Sequence, residues 1–333
     1  MKTLRLLALA CVVAPAAIAQ DLTLAELARR PELLPAQVSI TKPIKLQNRP
    51  AFSVGQKFTV EAVQGANVQL GTLDGRTRFT APAADTDLLA AAQTLHKSLS
   101  PEQRALTYAA LAQRVDLWPY RVKARTIMQF PGGTVQPGDA CILVGFEGPN
   151  LSLVHPNGKF LFGCEVRDTD LLDSARKLLA DKNAFPSRVS EDLAGKLVAP
   201  ATSAPMSLDA KAEPKYYVFY RGAGWCGPCI QFSPSLVKFD KEAKSRHPGA
   251  YEVIFFSADR SPADLKAYAA KMGFSWPSLP QSRQMEMQVV NRLFSNLIPQ
   301  LVVTDRNGTV VIDSAKIGTA AALKQIEALL KKV

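Results

Sequence analysis

The run "KYYVFYRGAGWCGPCIQFSPSLVKF", residues 215–239, decides the fold of the last third of the chain. After Lys215 its first residues are aromatic or β-branched throughout, which reads as a buried strand over 215–220. Cys226 opens a helix expected to reach about Ser245, with Ile230, Phe232, Leu236, Val237 and Phe239 along it. Two cysteines, Cys226 and Cys229, therefore stand at a strand-to-helix turn. Working outward, "YEVIFFSA" (251–258) reads as a second strand and 262–272 as a helix. "PQLVVTD" and "GTVVID" form a hairpin turning at Asn307-Gly308, and "TAAALKQIEALLKKV" is a closing amphipathic helix. Strands alternating with helices predict an α/β sheet covered on both faces.

A close cysteine pair has three readings. A zinc clip needs four ligands, and no second Cys pair or Cys/His cluster lies near 226–229 in sequence. A purely structural disulfide closing so small a loop would constrain the unfolded chain little. Redox chemistry suits the position. At a helix N-terminus, unpaired backbone N–H groups and the helix dipole favour a thiolate, so Cys226 is the candidate nucleophile. Cys229, one turn in and more buried, would resolve the mixed disulfide.

The wording around the pair resembles a thioredoxin domain over 214–333: "WCGPC" between strand and helix, Pro234 five residues beyond the second cysteine, and "IPQLVVTDRNGTVV". "YRGAGWCGPCIQFSPSLVKF" followed by "YEVIFFSADRSPADLKAYAAKM" is similar to the tryparedoxin and nucleoredoxin branch, and more loosely to exported TlpA-like thioredoxins. The resemblance implies disulfide exchange with no bound cofactor or metal. It implies that Trp225, Gly227 and Pro228 shape and shield the pair. Pro299 resembles the family's cis-proline, which would present Ile298 backbone groups to an extended substrate strand. One departure stands out: plain thioredoxins carry a buried acid six residues before the first cysteine, and this chain has Tyr220 there. That leaves the proton acceptor for Cys229 unassigned. The Gly-Pro within the pair resembles reducing thioredoxins, whose potentials lie near about −270 mV against roughly −120 mV for strong oxidants.

The compartment follows from the start of the chain. Lys2 and Arg5 precede an apolar run, Leu6 to Val13, and Ala17-Ile18-Ala19 is a small-x-small cleavage signal, so 1–19 reads as a signal peptide. The run is short of the ~20 residues a spanning helix needs. Cys11 raises a lipid-anchor reading, but the apolar stretch before it is very short. A periplasmic or extracellular protein is expected, in a space where disulfides persist. Its donor of electrons would then be a membrane protein.

Ahead of the redox segment the chain repeats itself. "NVQLGTLDGRTRFTAPAADTDLL" (67–89) aligns without gaps with "NLSLVHPNGKFLFGCEVRDTDLL" (150–172), and "LTLAELARRPELLPAQV" (22–38) with "LTYAALAQRVDLWPYRV" (106–122). Two modules are expected, 20–98 and 104–198. Each has short half-buried strands and flanking helices around a small SH3-like β core. Asp85 and Asp168 are expected to cap the helix that follows. In the second module Cys141 stands where the first has Phe58, and Cys164 where it has Ala81, which predicts a structural disulfide between them. Residues 199–213 are rich in Ala and Pro and read as an exposed linker.

Charge excludes little but points somewhere. Residues 214–333 carry 16 Lys/Arg against 9 Asp/Glu, scattered rather than clustered, which argues against nucleic acid. Two functions remain: an exported protein-disulfide oxidoreductase, or a docking protein of the cell envelope. In the second, the repeats bind a protein or cell-wall partner and the cysteine pair is a redox sensor.

Overall fold

The computed structural model describes residues 22–46, 50–208 and 213–333; the expected signal peptide lies outside them. The chain divides into two units, one holding residues up to Gly71 with Arg78–Leu99, the other Thr72–Thr77 with Ser100–Val333.

In the first unit alternating residues bury one face of each strand. β1 (Gln37–Ser39), β2 (Lys57–Gln64), β3 (Asn67–Thr72) and β4 (Arg78–Pro82) form an antiparallel sheet in that order. Val38, Phe58, Val68, Leu70 and Phe79 fill its core, with Leu27 and Leu88 from the flanking helices Leu24–Arg29 and Leu88–Ser98.

The second unit begins with a similar succession, with one hairpin added. The helix Tyr108–Ala112 precedes β5 (Arg121–Lys123), and a hairpin of β6 (Met128–Phe130) and β7 (Gly133–Val135) follows. Then come β8 (Ala140–Glu147), β9 (Asn150–Val154), β10 (Leu161–Glu165) and the helix Leu171–Ala180. The sheet order β10-β9-β8-β5 mirrors that of the first unit.

The Thr-Asp step that recurs in sequence recurs in hydrogen bonding. Thr86 and Thr169 donate their hydroxyls to the carbonyls of Ala83 and Val166, at 2.8 and 3.0 Å, and accept the N–H of Leu88 and Leu171. Asp87 and Asp170 accept the N–H of Ser39 and Lys123, each at 2.7 Å, tying helix to first strand. The expected caps were Asp85 and Asp168. Neither caps that helix: Asp85 pairs with Lys42 at 3.0 Å, and Asp168 accepts the N–H of Glu165 in a capping box on the preceding turn. The threonine one residue later has the reach.

Cys141 and Cys164 are free thiols, which corrects the expected disulfide. They lie on β8 and β10 with β9 between, where Leu151 of β9 pairs with Cys164 on one side and with Phe146, not Cys141, on the other. Both face the core of their module, as Phe58 and Ala81 do in the first, so they act as small hydrophobic residues. Burial pushes the Cys141 thiol up to about 11 and the Cys164 thiol up to about 12.

The largest sheet runs β12-β11-β15-β14-β13-β16-β17. Its middle is β13 (Tyr216–Gly222), parallel to β14 (Tyr251–Ser257) and antiparallel to β16 (Gln300–Asp305). β15 (Ser278–Leu279) and β17 (Val310–Asp313) flank these. One face packs Val218, Val253 and Leu301 under Leu236, Leu265 and Ile326, from the helices Gly227–Arg246, Pro262–Met272 and Thr319–Leu330. The other packs Tyr217, Phe219 and Ile254 against Val189 and Leu193 of the helix Arg188–Leu193.

That helix corrects the expected boundary. Residues 188–193, β11 (Leu197–Val198) and β12 (Pro205–Met206) belong to this sheet and its cover, not to the second module or to a free linker. The apolar positions of so short a helix leave too little periodicity to reveal its partner.

Candidate active site

β13 ends at Gly222, and three residues later the chain enters the helix Gly227–Arg246 with Cys226 as its N-cap. The backbone of Cys226 is extended (φ −90°, ψ 107°), so its side chain folds back over the first turn. The Cys226 Sγ accepts the N–H of Cys229 at 3.2 Å. The Ile298 carbonyl oxygen lies 3.9 Å from the same sulfur, on the loop of the cis Ile298-Pro299 bond. In this structure the two cysteines are joined, with Cα atoms 5.2 Å apart. Cys229 is fully buried, while Cys226 keeps 6% of its surface, so the outer sulfur is the one a partner reaches.

The predicted neighbours gather at the pair. Trp225 is exposed and donates its indole N–H to the Ala258 carbonyl at 3.2 Å, which holds the ring beside the site. Gly227 has open space where a Cβ would stand, so no close contact demands glycine there. Pro228 sits in the first helical turn, where its missing N–H breaks no helical bond. The Ile298 carbonyl faces the pair, Pro299 lines a cleft together with Pro228, and Leu297 beside them is exposed.

Beneath Cys229 lies a group that the sequence did not single out as a unit. The Tyr220 hydroxyl is 2.8 Å from Ser233 Oγ and 3.1 Å from the Tyr268 hydroxyl, and Ser233 and Tyr268 are 2.7 Å apart. Tyr220 also donates to the Cys229 carbonyl at 3.4 Å. All three residues are buried. Burial pushes both phenols up, so they stay protonated and serve as hydrogen-bond relays, not bases. Tyr220 was visible as a departure. Ser233, one turn past Cys229, and Tyr268, on a distant helix, carried no local signal.

Asp259 was also missed. It is 2% exposed, accepts the Gly224 N–H at 2.7 Å and the Ser257 hydroxyl at 2.9 Å, and thereby fixes the loop that leads into the pair. Burial raises its carboxyl above the usual range. Gly224 is needed where it is: a Cβ there would meet the Tyr268 side chain at 3.0 Å.

The site thus sets a less covered sulfur on a helix N-terminus, its partner buried one turn in, and the Ile298 carbonyl beside them, an arrangement suited to thiol–disulfide exchange. Residues 214–310 match the family described as Thioredoxin-like. The nucleoredoxin of Xenopus laevis is 29% identical over 133 residues, covering 40% of this chain and 31% of the relative. The tryparedoxin of Trypanosoma brucei brucei is 30% identical over 115 residues, covering 34% of this chain and 73% of the relative. Among solved structures, tryparedoxin I of Leishmania major is 30% identical with a TM-score of 0.33, covering 42% of this chain and 92% of the other. The chain belongs to the thioredoxin-like family through its C-terminal domain, related to nucleoredoxins and tryparedoxins. It spans about a third of the length of the nucleoredoxin.

Proposed function

We propose that this protein is an exported thiol–disulfide oxidoreductase that reduces protein disulfides. One observation carries the reading: Cys226 caps a helix with its sulfur on the Cys229 N–H, while Cys229 is sealed beneath it. In the reduced protein the helix N-terminus stabilises the Cys226 thiolate. That thiolate attacks one sulfur of a substrate disulfide, forms a mixed disulfide and expels the other substrate thiolate. Cys229 then gives up its proton and attacks Cys226 Sγ, which breaks the mixed disulfide and releases the second substrate thiolate. The substrate gains two electrons and the pair closes. The Tyr220–Ser233–Tyr268 hydroxyls hold the polar path below Cys229 along which its proton leaves. The Ile298 backbone offers a strand-like edge to the substrate.

An exported reductase needs a dithiol donor, and a membrane protein passing electrons outward fits that need. The repeats read as SH3-type modules that bind a protein or cell-wall partner and bring the dithiol to it. Their shared order of strands and matched Thr-Asp hydrogen bonds support a common origin of the two.

Reduction of insulin with dithiothreitol as donor tests this. The wild type accelerates precipitation of the insulin B chain, and Cys226→Ser abolishes the acceleration. A wild type no faster than dithiothreitol alone refutes the oxidoreductase reading and leaves the docking protein with a sensing pair.

A further inference from the structure

The two flanks of Cys226 differ in charge. On the side of the cis-proline lies a cleft of about 570 Å³ lined by Pro228, Phe232, Leu297, Pro299 and small polar residues, none of them charged. On the other side lies a cleft of about 540 Å³ lined by Gly224, Trp225, Asp259, Arg260, Asp264, Ala267, Tyr268 and Lys271. Its wall is Trp225, the residue next to the nucleophile.

The charged groups of this second cleft are not equivalent. Asp259 spends both oxygens inward, on the Gly224 N–H and the Ser257 hydroxyl. Asp264 lies in the first turn of the helix Pro262–Met272 and takes the Ser261 hydroxyl at 2.7 Å. The helix N-terminus there partly offsets its charge. Arg260 and Lys271 are exposed, and neither is paired with a carboxylate among the described residues. A molecule entering beside Trp225 therefore meets an aromatic face, two unpaired cations and one carboxylate engaged at its own helix start.

We infer that this cleft is a specificity subsite for a carboxylate carried next to the substrate disulfide, with Arg260 and Lys271 as its recognition groups. The substrate class is a disulfide with an acidic flank on the Trp225 side and an uncharged flank on the Pro299 side. The inference rests on the oxidoreductase reading, because it needs Cys226 to be the attacked and attacking sulfur.

The test uses the full-length protein, reduced and freed of reductant. Its second-order rate of oxidation is measured with glutathione disulfide, which is anionic, with cystamine, which is cationic, and with neutral 2-hydroxyethyl disulfide. The readout is each charged disulfide's rate divided by the neutral one's, compared between wild type and the double variant Arg260→Glu/Lys271→Glu. This double ratio cancels the intrinsic reactivities of the disulfides. Two near-surface charges at a few ångströms, reversed and partly screened, are expected to lower the glutathione disulfide ratio about tenfold and raise the cystamine ratio by a similar factor. In the wild type, added salt lowers the first ratio and raises the second. Ratios that move less than about twofold on charge reversal, or that ignore salt, overturn the subsite. Failure of the reduced wild type to react with the neutral disulfide refutes the oxidoreductase reading itself, and this inference falls with it.

Discussion

Asp192 is the residue whose loss should be felt most outside the dithiol. It is fully buried, and its carboxylate accepts four hydrogen bonds: Tyr120 OH at 2.8 Å and Gln288 N–H at 2.9 Å on Oδ1, Val289 N–H at 2.9 Å and Val290 N–H at 2.8 Å on Oδ2. Tyr120 belongs to the second β module, and 288–290 belong to the redox domain. One turn earlier on the same helix, buried Arg188 donates to the carbonyls of Pro119 and Leu143. A six-residue helix thus ties module to domain from both ends. In Asp192→Ala four donors lose their acceptor, two of them buried and two half-buried. Each unsatisfied group costs about 1–3 kcal/mol, and a water entering the vacated space recovers about half, which leaves a loss of about 4 kcal/mol. Asp192→Asn keeps one oxygen and turns an amide N–H2 toward donors, so it falls between. Tyr120→Phe alone costs about 1–2 kcal/mol, and in a double-mutant cycle it couples to Asp192→Ala by at least about 1 kcal/mol. Denaturant unfolding reads the wild type and all four variants, with Trp118 reporting on the module and Trp276 on the redox domain. A loss under about 1 kcal/mol for Asp192→Ala, or additive single effects, refutes the junction as argued.

Other outcomes follow from the same geometry. Tyr220→Phe removes the hydroxyl under Cys229 but leaves Ser233 and Tyr268 bonded to each other, so it costs only about 1 kcal/mol of stability. It slows resolution, and quenched single-turnover reactions show the mixed disulfide accumulating. The Cys141 and Cys164 thiols titrate higher when folded than when unfolded. Their contribution to stability is therefore complete below the unfolded thiol value and is lost as pH rises through the folded values of about 11 and 12. Melting temperature should fall across that alkaline range, and less steeply in Cys141→Ala/Cys164→Ala. Thr169→Val, nearly isosteric, removes a buried donor and acceptor at the helix entry and costs about 1–2 kcal/mol by the same denaturation assay.

The redox domain was legible because its signals are local. A strand that is apolar at every position, a cysteine at the helix start, and Asn307-Gly308 between two β-branched runs each carry their own geometry. The helix predicted over 262–272 forms over those residues. The likeness of 67–89 to 150–172 was legible as self-similarity, and Thr86 and Thr169 within those stretches make the same hydrogen bond to the helix start. What sequence could not reveal is made by contacts between distant segments. Asp192 is one acid among many until Val290, almost a hundred residues away, comes to meet it. Ser233 and Tyr268 meet beneath Cys229 only because two helices share a face of one sheet. The cysteines of the second module misled for the same reason: changing together suggests a bond, but across β9 Cys164 falls in line with Phe146, and both thiols are free.

The account stands on the acidity of one thiol, and its titration tests that most directly. The reduced protein is alkylated with iodoacetamide across pH, with the modified cysteine identified by mass. Cys226 should react first, with an apparent pKa at least about one unit below the ~8.5 of a free thiol, while Cys229 stays unmodified until the pair is unfolded. A Cys226 that titrates like a free thiol, or is alkylated no faster than Cys229, contradicts the account.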